Sequence, residues 1–297
     1  MTAEVPAKAV PGMRGPTAPI GEGPIAEGER RRDGARSSLV WDVLQGVIAA
    51  RAASLGRGAG DARDAGDASG ARAELDIVDV GGGTGGFAVP FAALGHRVTV
   101  VDPSPDALAA AQRRAAEVRV ALTAVQGDAG ELASLVGDGA ADLVICHSVL
   151  EYVDSPAAAM AAIARVLRPG ATVSVLAANT VAAVLQRALA GRYAEARQLL
   201  ATDGAGAPAE GYGVTAPRRF TLAGLTALIE AAGLRAGDAH GIRVFAGLLP
   251  GTGAGAGSGA AAADPAAADE LRALEEAAAA YPALRDIAAR LHVLGHR

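Results

Sequence analysis

The chain has 297 residues, 51% of them hydrophobic, and a net charge of -5. That is enough apolar content for one large core, and the acidic balance excludes a globally basic nucleic-acid binder, leaving only a local basic patch open. Cys146 is the single cysteine, which excludes an intrachain disulfide and fits a reducing cytoplasm.

In chain order, residues 1–28 are rich in Pro and Gly with little periodicity and read as a disordered tail. Everything from residue 29 to 297 reads as one domain. A helix is expected over Arg36–Ala50, with Leu39, Val40, Val43, Leu44, Val47 and Ile48 on one face. Residues 56–73 read as a flexible Gly/Asp/Ala/Arg insertion. Leu75–Val80 is a β-branched apolar run, hence a buried strand. Gly81–Gly86 is a tight glycine turn, and a helix should follow over Phe87–Leu94. Val98–Val101 is a second buried strand ending on Asp102. A helix to about Val118, a third strand over Val120–Val125 and a loop over Gln126–Gly130 come next. A fourth strand, Asp142–Cys146, ends at His147. A helix over Ala157–Leu167 closes at Arg168-Pro-Gly170, before a fifth strand over Ala171–Ala178. Thr180–Leu200 reads as an amphipathic helix pair broken at Gly191, fit to be a substrate lid, and Ala201–Pro217 as a loop. Thr221 starts a helix that ends at Gly233, and a sixth strand is expected around Ile242–Phe245. Residues 251–268 read as a second flexible insertion. A helix over Asp269–Ala280 and a last strand over Arg290–Leu294 complete the chain. No signal peptide or 18-residue apolar span is read, so no membrane partner is expected. No His/Cys cluster has metal-ligand spacing, so no metal is expected.

The stretch that carries chemistry is Leu75-Asp-Ile-Val-Asp-Val-Gly-Gly-Gly-Thr-Gly-Gly86 with Asp102. Gly81, Gly83 and Gly86 satisfy the dinucleotide pattern G-x-G-x-x-G. Gly81, Gly83 and Gly85 also satisfy G-x-G-x-G, with Asp79 two residues before the first glycine. The two patterns imply different ligands. A dinucleotide brings a pyrophosphate, which wants bare amides at a helix N-terminus. S-adenosylmethionine (SAM) brings no phosphate but a cationic sulfonium and an ammonium group, so an acid beside the glycines suits it. Asp102 accepts ribose hydroxyls in either case. Ligands collect at the strand ends of a parallel sheet, so His147 after the fourth strand and Asn179 after the fifth belong near the reaction centre; by resemblance to SAM enzymes, Asp128 and the Ala129–Gly130 backbone after the third strand face adenine.

The element order and Leu167-Arg-Pro-Gly170 resemble the class I SAM-dependent methyltransferases. The resemblance implies an α/β, Rossmann-like fold: a seven-stranded, mostly parallel sheet in the order 3-2-1-4-5-7-6 with helices on both faces, and SAM as cofactor. Within that class, Arg36-Ser-Ser-Leu-Val-Trp41, Cys146-His-Ser-Val-Leu-Glu-Tyr-Val153, the run from Asn179 through Ala190-Gly-Arg-Tyr193, and Gly241-Ile-Arg-Val-Phe245 look like the bacterial tRNA carboxymethoxyuridine methyltransferase family. By that resemblance Arg36 clamps the SAM carboxylate in bidentate form, and Gly81, Gly82, Asp102, Ala129, Gly130 and His147 fall on further SAM-contacting positions. That family methylates a carboxylate, which is already ionised and needs positioning rather than a base. The resemblance makes Arg243 the cation for the acceptor and Tyr152, Asn179 and Tyr193 its pocket. It leaves no certain catalytic group, only His147 and Arg243 as positioning candidates. The stretch Tyr212–Arg219 matches a lysine-rich segment of that family but carries only two arginines. Phosphate contacts dominate RNA affinity, so a metabolite acceptor stands beside tRNA. A non-catalytic SAM-binding protein and an NAD-linked oxidoreductase are the remaining alternatives.

Overall fold

The structure is a computed structural model, and it describes residues 24–58, 73–201, 217–248 and 265–297, with side chains over 39–56, 73–201, 217–248, 266–267 and 269–297. Its elements are α1 (Pro24–Gly58), β1 (Asp76–Val80), α2 (Ala88–Ala93), β2 (Arg97–Asp102), α3 (Pro105–Glu117), β3 (Thr123–Gln126), a 3-10 turn (Ala129–Glu131), α4 (Leu132–Val136), β4 (Ala141–His147), α5 (Pro156–Val166), β5 (Leu167–Ala178), α6 (Thr180–Leu189), α7 (Tyr193–Ala201), α8 (Leu222–Ala231), β6 (Arg235–Ile242), α9 (Pro265–Ala279), α10 (Pro282–Arg285) and β7 (Arg290–His296). The strands form one seven-stranded sheet in the order β3-β2-β1-β4-β5-β7-β6. β1 to β5 run parallel, and β7 is antiparallel to both its neighbours. The expected architecture is the one found.

The strands alternate between two apolar layers because side chains alternate across a strand. Val78, Val80, Val144, Cys146, Val173 and Val175 face α5 and α8, where Met160, Ile163, Leu225 and Ile229 are buried. Ile77, Val98, Val100, Leu143 and Ile145 face the other way, against Val40, Leu44 and Ile48 of α1, Phe91 of α2 and Leu108 of α3. Three helices start on a hydroxyl cap: Ser104, Ser155 and Thr221 each accept a first-turn amide, which satisfies an otherwise orphaned donor.

The base of the sheet is closed by charge. Asp142, with a side chain only 5% exposed, takes Arg51 from α1 and Arg168 from β5. Its Oδ2 also accepts the Asp76 amide. Arg168 bridges on to Asp76. The Leu-Arg-Pro-Gly segment is therefore the first turn of β5, not a helix closure. Its arginine serves this ion network.

Other boundaries differ from expectation for local reasons. α1 runs well past Arg36–Ala50 at both ends. It includes Leu39–Gly56, an 18-residue stretch with mean hydropathy 1.2, where no such span was expected; its leucines, valines and isoleucine outweigh Asp42 and Arg51. Its Val40, Leu44 and Ile48 pack in the core. β3 begins only at Thr123, because Arg119 adopts φ 60° and the Val120 amide bonds back to Ala115. β6 lies before the apolar Ile242–Phe245 run rather than on it. The chain turns at Arg243, where φ is 60°, and the amides of Val244, Phe245 and Ala246 are captured by Glu275 of α9. The short α4 and α10 carry no periodic signal of their own and were not foreseen. The expected tail (1–28) and insertions (56–73 and 251–268) fall largely on residues 1–23, 59–72 and 249–264, outside the described residues.

Candidate functional site

The C-terminal ends of β1 to β4 meet around the glycine loop. Gly81, Gly83 and Gly85 all have positive φ, a conformation that side chains with a Cβ rarely adopt. Gly81 is doubly constrained, since a Cβ there would lie 2.5 Å from Val149 Cγ2. A Cβ on Gly82 would lie 2.6 Å from the Asp79 carboxyl. The loop is thus pressed between β4's exit and the acid of β1.

Asp79 is buried, and its carboxyl accepts the amide of Ala88, the first residue of α2. Burial pushes its pKa up to about 7, against the Ala88 hydrogen bond; the nearby Asp102 charge adds to the rise. Asp102, also buried, accepts the Gly83 amide on Oδ2 and the Ser104 amide on Oδ1, both at 2.9 Å. A staple therefore joins the β1 loop to the β2 loop. Along the next edge, exposed Asp128 caps the 3-10 turn with a 3.4 Å bond to Gly130, and Ala129 is buried beneath it.

These residues fit a particular ligand chemistry. The N-terminus of α2, where a pyrophosphate would need bare amides, already holds the Asp79 carboxylate. No Lys or Arg stands within Gly81–Gly86. A cationic group beside Asp79 and a diol beside Asp102 suit this constellation. A phosphate does not.

Residues 78–175 match the model of the methyltransferase domain family. The chain is 30% identical over 122 residues to the tRNA 5-carboxymethoxyuridine methyltransferase of Escherichia coli K12, covering 40% of this chain and 46% of that protein. It is 36% identical over 113 residues to the ubiquinone biosynthesis O-methyltransferase of Aeromonas salmonicida, covering 38% and 47%. The chain thus matches less than half the length of these curated relatives. Among solved structures, magnesium protoporphyrin IX methyltransferase from Synechocystis PCC 6803, with bound SAH, shares the fold at TM-score 0.50 and 15% identity, over 93% of this chain and 89% of that one.

Within the matched stretch, His147 ends β4 on the same sheet face as Asp79. Its Nε2 lies 2.7 Å from Ser174 Oγ. Phe87 meets its ring edge-on at 5.0 Å. Behind Phe87, Phe91 and Trp41 stack, with Trp41 coming from α1. Burial, with the Arg290 charge second, pulls the His147 pKa down to about 3. The chain then turns through Ser148 at φ 60°, whose hydroxyl receives Arg290. Glu151 is 4% exposed, with one oxygen on the Ala178 amide and the other without a partner among the described residues. Burial pushes its pKa up, while Arg290 and Arg219 pull the other way.

The proposed acceptor residues are distributed differently. Asn179 is buried and fully committed: its amide donates to Asp286 and Ala288 carbonyls and its oxygen caps α6. Tyr152 and Tyr193 are both 72% exposed; Tyr152 neighbours Arg219, and Tyr193 opens α7 without packing on the strand ends. Arg243 stands just past β6, half-buried, with its carbonyl accepting the Ala289 amide. The Arg36 side chain lies outside the described residues. Sequence reasoning missed Arg290, Arg219 and Glu151. Glu151 stands inside the Cys146–Val153 segment, yet only the fold shows that it is buried, on the Ala178 amide and within the field of Arg290 and Arg219. Among the described residues no group of three His, Cys, Asp or Glu side chains can hold a metal.

Proposed function

We propose that the chain transfers a methyl group from SAM to an acceptor oxygen, a carboxylate or a hydroxyl. SAM when bound supplies an electrophilic methyl on a sulfonium. Asp79 and Gly81 to Gly85 would receive its amino-acid end, Asp102 its ribose diol, and Asp128, Ala129 and Gly130 its adenine. Arg36 would add a carboxylate clamp, by resemblance alone. The observation that carries the reading is the Asp79 carboxylate seated on the Ala88 amide, which favours a cation and repels a phosphate.

Two acceptor classes remain in play. Similarity to a tRNA carboxymethoxyuridine methyltransferase supports RNA. Arg218 supports a metabolite: its guanidinium donates to the Val153 and Asp154 carbonyls, so one of the two arginines of the expected basic stretch is spent on structure. Phosphate contacts supply most RNA affinity. The test is transfer of labelled methyl from SAM to tRNA lacking this methylation and, in parallel, to a panel of carboxylate and phenol metabolites. Labelled tRNA supports the first acceptor and a labelled metabolite the second. No transfer to either, with SAM bound, would leave a non-catalytic SAM-binding protein.

A further inference from the structure

A row of side chains crosses the second half of the sheet. In the strand register His147 lies opposite Leu176, Leu176 opposite His292, and His292 opposite His240. Ser174, two residues before Leu176, shares their face. Its Oγ is 2.7 Å from His147 Nε2 and 2.7 Å from His292 Nε2. Ser174 and His292 are fully buried, and the His240 ring stacks on His292 at 5.5 Å. The Nδ1 atoms of His147 and His292 are buried without a partner among the described residues.

One hydroxyl between two imidazoles has one proton to give. It therefore donates to one ring and accepts from the other, and the two tautomers are coupled. If His147 donates to Ser174, then His292 carries its proton on Nδ1, an unpaired N–H deep in the sheet. If His292 donates instead, its Nδ1 keeps only a bare lone pair, and the unpaired N–H moves to His147 Nδ1 at the strand end. Buried donors without partners are rarer than under-used acceptors, and only the second arrangement puts the open N–H on the ring that ends β4, where ligands of a parallel sheet collect. Burial keeps both rings neutral. The charged group facing His147 is Arg290 of β7, with Glu151 and Arg219 beyond it; the nearest charge disfavours protonation of the ring.

We propose that Ser174 and His292 are positioning residues that lock His147 as a neutral Nδ1–H donor toward a ligand oxygen at the end of β4. This rests on the methyl-transfer reading above and narrows its acceptor. With Nδ1 protonated and Nε2 accepting from Ser174, His147 has no lone pair to take a proton. This favours an acceptor that arrives ionised. A carboxylate does: its oxygen lone pair forms the new O–C bond, the C–S bond breaks with its electrons on sulfur, and no proton is released. A hydroxyl would need a base that His147 cannot be.

The test is a long-range proton–nitrogen NMR correlation on the ligand-free protein, labelled with nitrogen-15 in its five histidines. The expected result is His147 protonated on Nδ1 and His292 on Nε2, both unchanged between about pH 6 and 8, where an ordinary imidazole titrates. His147 protonated on Nε2, or titrating in that window, overturns the proposal. Ser174→Ala should leave His147 a tautomer mixture and Ser174→Thr should restore the single form; an unchanged His147 in a folded Ser174→Ala protein also overturns it. With a carboxylate acceptor, Ser174→Ala should lower kcat about tenfold, the effect of losing one oriented hydrogen bond, at unchanged KM for SAM. The spectra need neither SAM nor acceptor, so their outcome is separate from that of the methyl-transfer reading.

Discussion

Asp102 holds Gly83 by a 2.9 Å hydrogen bond from the Gly83 amide, and its other oxygen holds the Ser104 amide. One carboxylate at the end of β2 thereby fixes the shape of the glycine loop after β1. On the proposed reading the same carboxylate accepts the ribose diol with its remaining lone pairs. Asp102→Ala should therefore lower SAM affinity at least about tenfold and cost about 1–2 kcal/mol of stability for two amides left without their acceptor. Asp102→Asn keeps one acceptor oxygen and should fall between. Calorimetric titration and denaturant melts of the three proteins check this.

On the proposed reading, Asp79 should make SAM affinity pH-dependent. Its carboxyl titrates at about 7 in the folded protein, against an ordinary value of 3.8, so it holds a proton in the ligand-free state below about pH 7. The ammonium of SAM would pair with the ionised form. Affinity should then rise by up to about tenfold per pH unit between pH 5 and 7 and level off above 8. The same raised value means that Asp79's contribution to stability is present below about pH 4 and is lost as pH rises through about 7. In Asp79→Asn both dependences should vanish, with SAM affinity low throughout. Titrations across pH in buffers of different ionisation enthalpy would show the proton released on binding.

What was legible in the sequence follows from how local each signal is. The Leu75–Gly86 stretch announces a strand, a turn and their ligand end, because β-branched runs and positive-φ glycines act within a few residues. Asp79 and Asp102 could be named for the same reason. The sixth strand was misplaced because Arg235–Ile242 is an edge strand of mixed polarity, while the apolar Ile242–Phe245 run is a turn held by Glu275 from another helix. Arg168, Asp142 and Arg51 meet across more than a hundred residues of chain, and Ser174 joins two histidines only because β5 lies between β4 and β7. Such pairings belong to topology, not to spacing.

The ion network at the base of the sheet should matter more than any exposed pair. Asp142→Ala would leave Arg51 and Arg168 without their shared buried acceptor and should cost about 3–5 kcal/mol. Asp138→Ala breaks only the Arg165 pair, whose side chains are 65% and 61% exposed, and should cost under about 1 kcal/mol. Urea melts of the two variants give the comparison directly.

The buried imidazoles set an acid limit. His147 and His292 have folded pKa values held below the ordinary 6.5 by burial, so the unfolded chain takes up protons first. Their contribution to stability is full above about pH 6.5 and is lost as pH falls from there toward His147's value of about 3. Asp79 and Glu151, both raised, act in the opposite sense, but against four lowered histidines, since His240 and His296 shift the same way as His147 and His292. Stability should therefore decline below pH 6.5 in the wild-type protein and decline less in His292→Gln, as thermal melts across pH would record.

The central claim is that the glycine loop between Asp79 and Asp102 receives SAM and not a dinucleotide. Calorimetric titration of the purified chain with SAM, S-adenosylhomocysteine and NAD in parallel tests it most directly. Saturable binding of the first two, with none for NAD, is the expected result. Binding of NAD without SAM would contradict the reading of the Asp79 site and of the acceptor chemistry built on it.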